Sequence, residues 1–275
     1  MTILEKILIN KKKELLLLKN QITITDLERS RFFFKETKSL KEFISDPSKT
    51  GIIAEFKRAS PSKGTINPDA SVMDVTQGYS RGGASGLSIL TDRLFFGGSS
   101  DDLVTAREYN SIPVLRKDFI IDEFQIPESK AIGADAILLL ASVLTGKRIR
   151  KFTKMSHSLG MEVICEIHSL SEIEMVNEDI DIIGVNNRDL KSFDIDINVS
   201  LGLADRIPEK FIKISESGIS SSESVIRLRQ AGYNGFLIGE LFMKSPDPVM
   251  AFMEFTNKIR VHHDKSKSLR LDRKV

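Results

Sequence analysis

The stretch Gly51-Ile-Ile-Ala-Glu-Phe-Lys-Arg-Ala-Ser-Pro-Ser-Lys-Gly64 sets a carboxylate, Glu55, two residues before an ammonium, Lys57. An apolar lead-in of Ile52, Ile53 and Ala54, broken by Pro61 and Gly64, reads as a buried strand feeding a loop. Side chains two apart on a strand share a face, so Ile53, Glu55 and Lys57 form one column. Charges are rarely buried without a partner, so this column is either a structural ion pair or a site for a charged ligand. Similar polar ends follow other apolar runs: Arg116, Lys117 and Asp118 after Pro113-Val-Leu115, Glu166 after Val163-Ile-Cys165, and Asn186, Asn187, Arg188 and Asp189 after Ile182-Ile-Gly-Val185. Glu216 and Ser217 end a further run, and Gly239 and Glu240 the last. Two carboxylates (Glu55, Glu166) and two lysines (Lys57, Lys117) meeting in one mouth would hold one another charged and shift one another's pKa. That is raw material for general acid and general base catalysis, although each pair alone also reads as an interstrand salt bridge.

Meeting in one mouth requires a particular set of elements. From Ile52 onward a short apolar strand, a loop and a helix repeat, with strands at 52–57, 86–91, 112–116, 135–140, 162–166, 181–186, 211–215 and 235–239. Helices are expected at roughly 70–81, 100–109, 122–132, 145–158, 169–177, 198–206, 221–231 and 246–259. Eight strand-helix units force parallel pairing through crossovers and predict a closed (β/α)8 barrel of the TIM type over 49–259. An open doubly wound sheet would announce itself with Gly-x-Gly-x-x-Gly after its first strand, and Arg58-Ala-Ser-Pro-Ser-Lys-Gly64 is not that. In such a barrel chemistry sits at the C-terminal strand ends, where the polar residues have accumulated.

Residues 1–48 are expected to form helices at 3–20, roughly 25–34, and 39–45 behind the N-cap Ser39, an extension packed on the barrel. The run Lys11-Lys12-Lys13 reads as a solvated helix face. The segment 260–275 holds six Lys/Arg and two Asp and is expected to be a disordered basic tail without function. The chain carries +2 overall, so the remainder is slightly acidic, which argues against nucleic-acid binding. A length of 275 residues with 41% hydrophobic composition suffices for a large core. A single cysteine, Cys165, excludes an internal disulfide, and no run is long enough for a membrane span, so a cytoplasmic protein is expected.

The remaining candidates are weaker individually. Ser217-Gly218 and Gly239-Glu240 either make tight turns or let backbone N–H groups approach a phosphate, as barrel loops after the last two strands often do. Lys57 and Lys63 supply charge nearby, and Arg188 offers a planar fork for a carboxylate. Phe95, Phe96 and Phe119 in loops either cap the core or wall an aromatic ring. Cys165 faces the helix layer if Glu166 faces inward, and is a poor nucleophile. His157, His168, His262 and His263 lack metal-ligand spacing, so neither metal nor cofactor is expected.

Taken together, Glu55-Phe-Lys-Arg-Ala-Ser-Pro-Ser-Lys-Gly64, Leu90-Thr-Asp92 with Phe96-Gly-Gly98, Leu115-Arg-Lys-Asp-Phe119, Glu166-Ile-His168, Gly184-Val-Asn-Asn-Arg-Asp-Leu190, Ser215-Glu-Ser-Gly-Ile219 and Ile238-Gly-Glu240 resemble the indole-3-glycerol phosphate synthase family of tryptophan biosynthesis. The resemblance implies closure of 1-(2-carboxyphenylamino)-1-deoxyribulose 5-phosphate to indole-3-glycerol phosphate with loss of CO2 and water. It implies Lys117 as the general acid on the ketose carbonyl, Glu166 as the acid/base of dehydration, and Lys57 on substrate anion charge. Glu55 would orient the lysines and Asn186 bind a substrate hydroxyl. Arg188 and Ser60 would serve the carboxylate side, and Ser217, Gly218, Gly239 and Glu240 the phosphate side. The implied partner is a small phosphorylated molecule, with no nucleic acid or membrane; a monomer or weak homo-oligomer is expected, and association with other pathway enzymes stays open. The alternatives are another phosphate-binding barrel such as phosphoribosylanthranilate isomerase, which would call for a Cys at the first strand tip acting with an Asp where this chain offers Glu55 and Lys57, and a non-catalytic binding barrel.

Overall fold

Alternation of apolar strands with amphipathic helices leaves each strand a parallel partner on both sides, and eight of them close into a ring. The computed structural model describes residues 1–190 and 192–271, with side chains through Arg260. The barrel strands are β1 (Ile52–Phe56), β2 (Gly86–Leu90), β3 (Val114–Lys117), β4 (Ala136–Leu140), β5 (Glu162–Ile167), β6 (Ile182–Asn186), β7 (Ile212–Glu216) and β8 (Gly235–Ile238), and a separate two-stranded ribbon pairs Ala59–Ser60 with Gly64–Thr65. Each barrel strand pairs in parallel with its neighbours in sequence, and β8 closes on β1. This is a TIM barrel.

The period of two sorts the strand residues into two layers. Ile53, Leu115, Leu138, Ile164, Ile182, Ile214 and Leu237 fill the barrel interior. Their strand neighbours, among them Ile52, Ala54, Phe56, Val163, Cys165, Ile183 and Phe236, pack outward against the helices. Cys165 therefore lies buried in the helix layer, where burial first and the charges of Glu166 and Glu172 second push its thiol up to about 12.

The three N-terminal helices are α1 (Ile3–Gln21), α2 (Ile24–Glu28) and α3 (Leu40–Ser45). α1 opens with a capping box between Thr2 and Glu5, and α3 with Ser39, whose side chain accepts from the Glu42 N–H. Leu40 and Ile44 of α3 belong to the interior cluster and press on Gly86 and Gly235, the first residues of β2 and β8. α3 thus plugs the end of the barrel opposite the polar strand ends.

Several expectations need correction. Lys11 is not part of a solvated face: it shares the buried stripe of Ile7 and Leu15, spaced four apart on α1, while Lys12 and Lys13 are exposed. The helix expected over 25–34 stops at Glu28, because the Ser30 hydroxyl donates to the Ala131 carbonyl and the chain turns to bury Phe32 and Phe33. The helix expected over 169–177 shrinks to Leu170–Ile173, which Ser169 does not cap. Of the segment 260–275, expected to be disordered, residues through Leu271 continue the helix Pro248–Leu271, and no Gly or Pro interrupts that stretch; 272–275 lie outside the described residues. Among the described residues no helix is long and apolar enough to cross a membrane.

Candidate active site

One further step along each inward column turns the interior from apolar to polar. Glu55 follows Ile53, Lys117 follows Leu115, Glu166 follows Ile164, Asn186 follows Gly184 and Glu216 follows Ile214. Ladder register levels them: Asn186 lies beside Glu216 and Leu140 beside Glu166. Lys117 Nζ donates to Glu166 Oε2 at 2.8 Å and to Glu216 Oε2 at 2.6 Å. Asn186 Nδ2 donates to the other Glu166 oxygen at 3.0 Å, and Lys57 Nζ to Glu55 Oε1 at 2.8 Å.

The charges settle one another. Burial opposes the Lys117 ammonium, but Glu166, Glu216 and Glu55 outweigh it and raise the lysine pKa. Burial likewise opposes ionised Glu166, yet Lys117, His168 and the Asn186 hydrogen bond hold its pKa well below the usual range. Glu216 goes the other way. Burial is the main cause, and the neighbouring Glu166 charge adds to it, so Glu216 is the carboxyl that takes up a proton first.

Glu55, Lys57, Ser60, Phe96, Lys117, Phe119, Glu166, Asn186, Arg188, Ser217, Gly218, Gly239 and Glu240 line one cavity of about 310 Å³, whereas Lys63 and Phe95 are not part of its lining. Phe96 and Phe119 form an apolar wall, ring centroids 6.1 Å apart and tilted by 40°. Ser60 and Arg188 stand at the rim. Arg188 donates to Ser62 Oγ and to Glu240 Oε2, both at 3.2 Å, and Lys63 lies 3.8 Å from the other Glu240 oxygen. Ser217 takes a left-handed φ of 65°, rare for a residue with a Cβ, and Gly218 repeats it at 73°. Gly239 has a second reason to be glycine, since a Cβ there would come within 2.7 Å of the Glu55 side chain.

Glu55 was expected to orient both lysines. Its direct partner is Lys57, with Ser88 Oγ 3.4 Å from its other oxygen, whereas Lys117 is held by Glu166 and Glu216. Glu216 was visible as a strand-end residue but carried no role; its place in the inward column was the available signal. Room for it comes from Gly184 on the adjacent strand, where a Cβ would lie 2.3 Å from Glu216 Oε1. The wall contributed by α1, with Ile3, Leu4 and Ile7 lining the cavity, was not foreseen. The stripe on α1 was legible, but nothing local says which surface receives it.

α1 is fastened directly behind Lys117. Lys11 Nζ lies 3.0 Å from both Asp92 and Asp118, and 2.9 Å from Glu14. Asp118 follows Lys117 and so points outward, where Arg116 and the Thr91 hydroxyl also meet it at 3.2 and 2.6 Å. Burial would raise the Asp118 carboxyl, but Lys11 and Arg116 prevail and hold it at about 2.

The comparisons agree with this geometry. The family model described as indole-3-glycerol phosphate synthase matches residues 4–255. The enzyme of that name from Bacteroides thetaiotaomicron is 46% identical over 258 residues, covering 94% of this chain and 99% of that protein. Its counterpart from Laribacter hongkongensis is 40% identical over 90% of this chain and 95% of that protein. Among solved structures, 3-hexulose-6-phosphate synthase from Salmonella typhimurium superposes with a TM-score of 0.61 at 15% identity, over 77% of this chain and 99% of that one, a likeness of fold alone. With eight barrel strands, a convergent charged mouth and relatives matched over nearly their full length, the chain belongs to the indole-3-glycerol phosphate synthase family.

Proposed function

We propose that this mouth closes 1-(2-carboxyphenylamino)-1-deoxyribulose 5-phosphate to indole-3-glycerol phosphate, with Lys117 and Glu166 moving the protons. The observation that carries the assignment is the Lys117 ammonium, held at 2.8 and 2.6 Å between two buried carboxylates in a cavity walled by Phe96 and Phe119. The ketose oxygen accepts a proton from Lys117 as the ring carbon bearing the carboxylate attacks the carbonyl carbon. CO2 then departs, and its bonding electron pair restores the aromatic ring. Glu166 serves the dehydration, in which the hydroxyl leaves as water and a carbon-bound proton is lost. Asn186, already hydrogen-bonded to Glu166, is placed to bind a substrate hydroxyl.

Lys57 holds substrate anion charge, kept in place by Glu55. Ser60 and Arg188 serve the substrate carboxylate, with Arg188 drawn off Glu240 on binding. Ser217, Gly218, Gly239 and Glu240 receive the phosphate through backbone groups, with Lys57 and Lys63 supplying charge. The partner is this small phosphorylated substrate rather than nucleic acid or membrane. A single buried thiol suits a reducing cytoplasm, and the protein acts as a monomer or weak homo-oligomer, with room for association with other enzymes of its pathway.

The test replaces Lys117 by Met, which removes the acid and keeps the stem. Turnover should vanish while the far-ultraviolet spectrum and unfolding transition remain those of a folded barrel. Full activity in Lys117→Met would remove the lysine from the reaction.

A further inference from the structure

Glu166 shows its two oxygens to different surroundings. Oε2 accepts from Lys117 in the mouth, whereas Oε1 accepts from Asn186 at 3.0 Å and also lies 3.4 Å from Nε2 of His168. The opposite ring nitrogen, Nδ1, lies 3.5 Å from Oε2 of Glu172. Neither ring nitrogen has a hydrogen-bond partner among the described residues, although both are buried. His168 stands outside the lining of the cavity, and its side chain, like that of Glu172, keeps 16% of its surface open to solvent. The Glu172 carboxylate is fixed by the His168 backbone N–H, which donates to it at 2.6 Å. A carboxylate, an imidazole and a second carboxylate therefore run in a row from the protein surface to the back of the proposed acid/base group.

The reaction has a need for such a row. Its substrate carries a carboxylate that leaves as neutral CO2, so each turnover takes up one proton from solution. One proton goes to the ketose oxygen, a second leaves with the hydroxyl as water, and a third is returned from carbon. Once substrate fills a mouth walled by Phe96, Phe119 and α1, recharging through that mouth waits for product release.

We propose that His168 is a relay that reprotonates Glu166 from solvent, with Glu172 as its outer partner; this rests on the acid/base role of Glu166 given above. In each transfer Nδ1 takes a proton from water or a buffer acid by way of Glu172 and the Nε2–H bond breaks as an O–H bond forms on Glu166 Oε1; the Nδ1–H ring left behind returns to its Nε2–H form by proton exchange with water before the next turnover. No electrons change owner. The charged groups facing the ring are Glu172 from the helix after β5, Glu166 from β5 and Glu216 from β7. Burial disfavours the charged ring, but the neighbouring Glu172, Glu166 and Glu216 carboxylates raise the imidazole pKa above its ordinary value. His168 acts through Glu166 and does not touch the reacting atoms.

The experiment compares His168→Asn, Glu172→Gln and Glu166→Gln under steady-state turnover. For His168→Asn, kcat should fall about tenfold, at or below the low end of what a positioned proton-transfer group contributes, with KM little changed. Added imidazole should restore part of the loss, which a merely structural defect would not allow. Glu172→Gln, at a half-buried position, should lower kcat in the same direction and carries the test if His168→Asn does not fold. Wild-type kcat and an unaltered pH profile in these variants, or a loss that imidazole leaves untouched, would overturn the relay. Glu166→Gln separates the two claims: if it is inactive while His168→Asn and Glu172→Gln are normal, Glu166 keeps its role and the relay falls; if it is fully active, the acid/base assignment itself falls.

Discussion

The ammonium of Lys117 lies 2.6 Å from Oε2 of Glu216, a carboxyl group 99 residues further along the chain. Glu216 is also the carboxyl whose pKa burial and the Glu166 charge raise. As pH falls it is protonated before Glu166, and Lys117 loses one of its two counter-charges. The expected consequence is an acidic limb of kcat lying above the ordinary carboxylate range. Glu216→Gln should remove that limb and lower kcat about 10- to 100-fold, read from kcat against pH. The stability sign is also defined: with its pKa raised by folding, Glu216 favours the fold below its unfolded pKa and loses that contribution as pH rises through its folded value.

Lys11→Met should be costly, because it leaves Asp92 and Asp118 as buried carboxylates short of a cation. A loss of about 3–5 kcal/mol is expected from urea unfolding at neutral pH. Asp118 has a depressed pKa, about 2 in the folded state, so its contribution of about 2 kcal/mol is present above the unfolded value near 3.8 and is lost as pH falls through 2. Lys11→Met should therefore also move the acid-unfolding midpoint upward. An unchanged midpoint would show that Lys11 does not hold Asp118 ionised.

A third expectation concerns Gly239. A methyl group at this position would meet the Glu55 side chain at 2.7 Å, so Gly239→Ala must push Glu55 and with it Lys57. Overpacking of this kind costs roughly 1–3 kcal/mol. The loss should appear in thermal unfolding and, more sharply, as a raised KM, since Lys57 is assigned to substrate charge.

The Cys165 thiol, buried in the helix layer with its pKa at about 12, should react with thiol reagents only as the barrel opens. Labelling should track global unfolding in urea. Fast labelling of the native protein would place Cys165 elsewhere.

The barrel was legible because its signals are local. Period two set the inward columns from Ile53 to Glu55 and from Ile164 to Glu166, and the strand-helix alternation left few topologies. The mouth followed, since a parallel barrel puts every strand's C-terminal end on one face. What escaped were relationships with no periodic signature. Lys11 looks like Lys12 and Lys13 in sequence, and only docking of α1 on Asp92 and Asp118 separates them. Glu216 needed Gly184 on the adjacent strand to make room before its reach to Lys117 could be seen. The His168 ring, between Glu166 and Glu172, depended on the turn that begins at Ser169, where a longer helix was expected.

The most direct measurement mixes the protein with 1-(2-carboxyphenylamino)-1-deoxyribulose 5-phosphate and follows indole absorbance and released CO2 together, in the wild type and in Lys117→Met. Indole and CO2 should appear in equal amounts from the wild type and not at all from the variant. CO2 without indole, no product from the folded wild type, or a variant as fast as the wild type would contradict the assignment of this mouth.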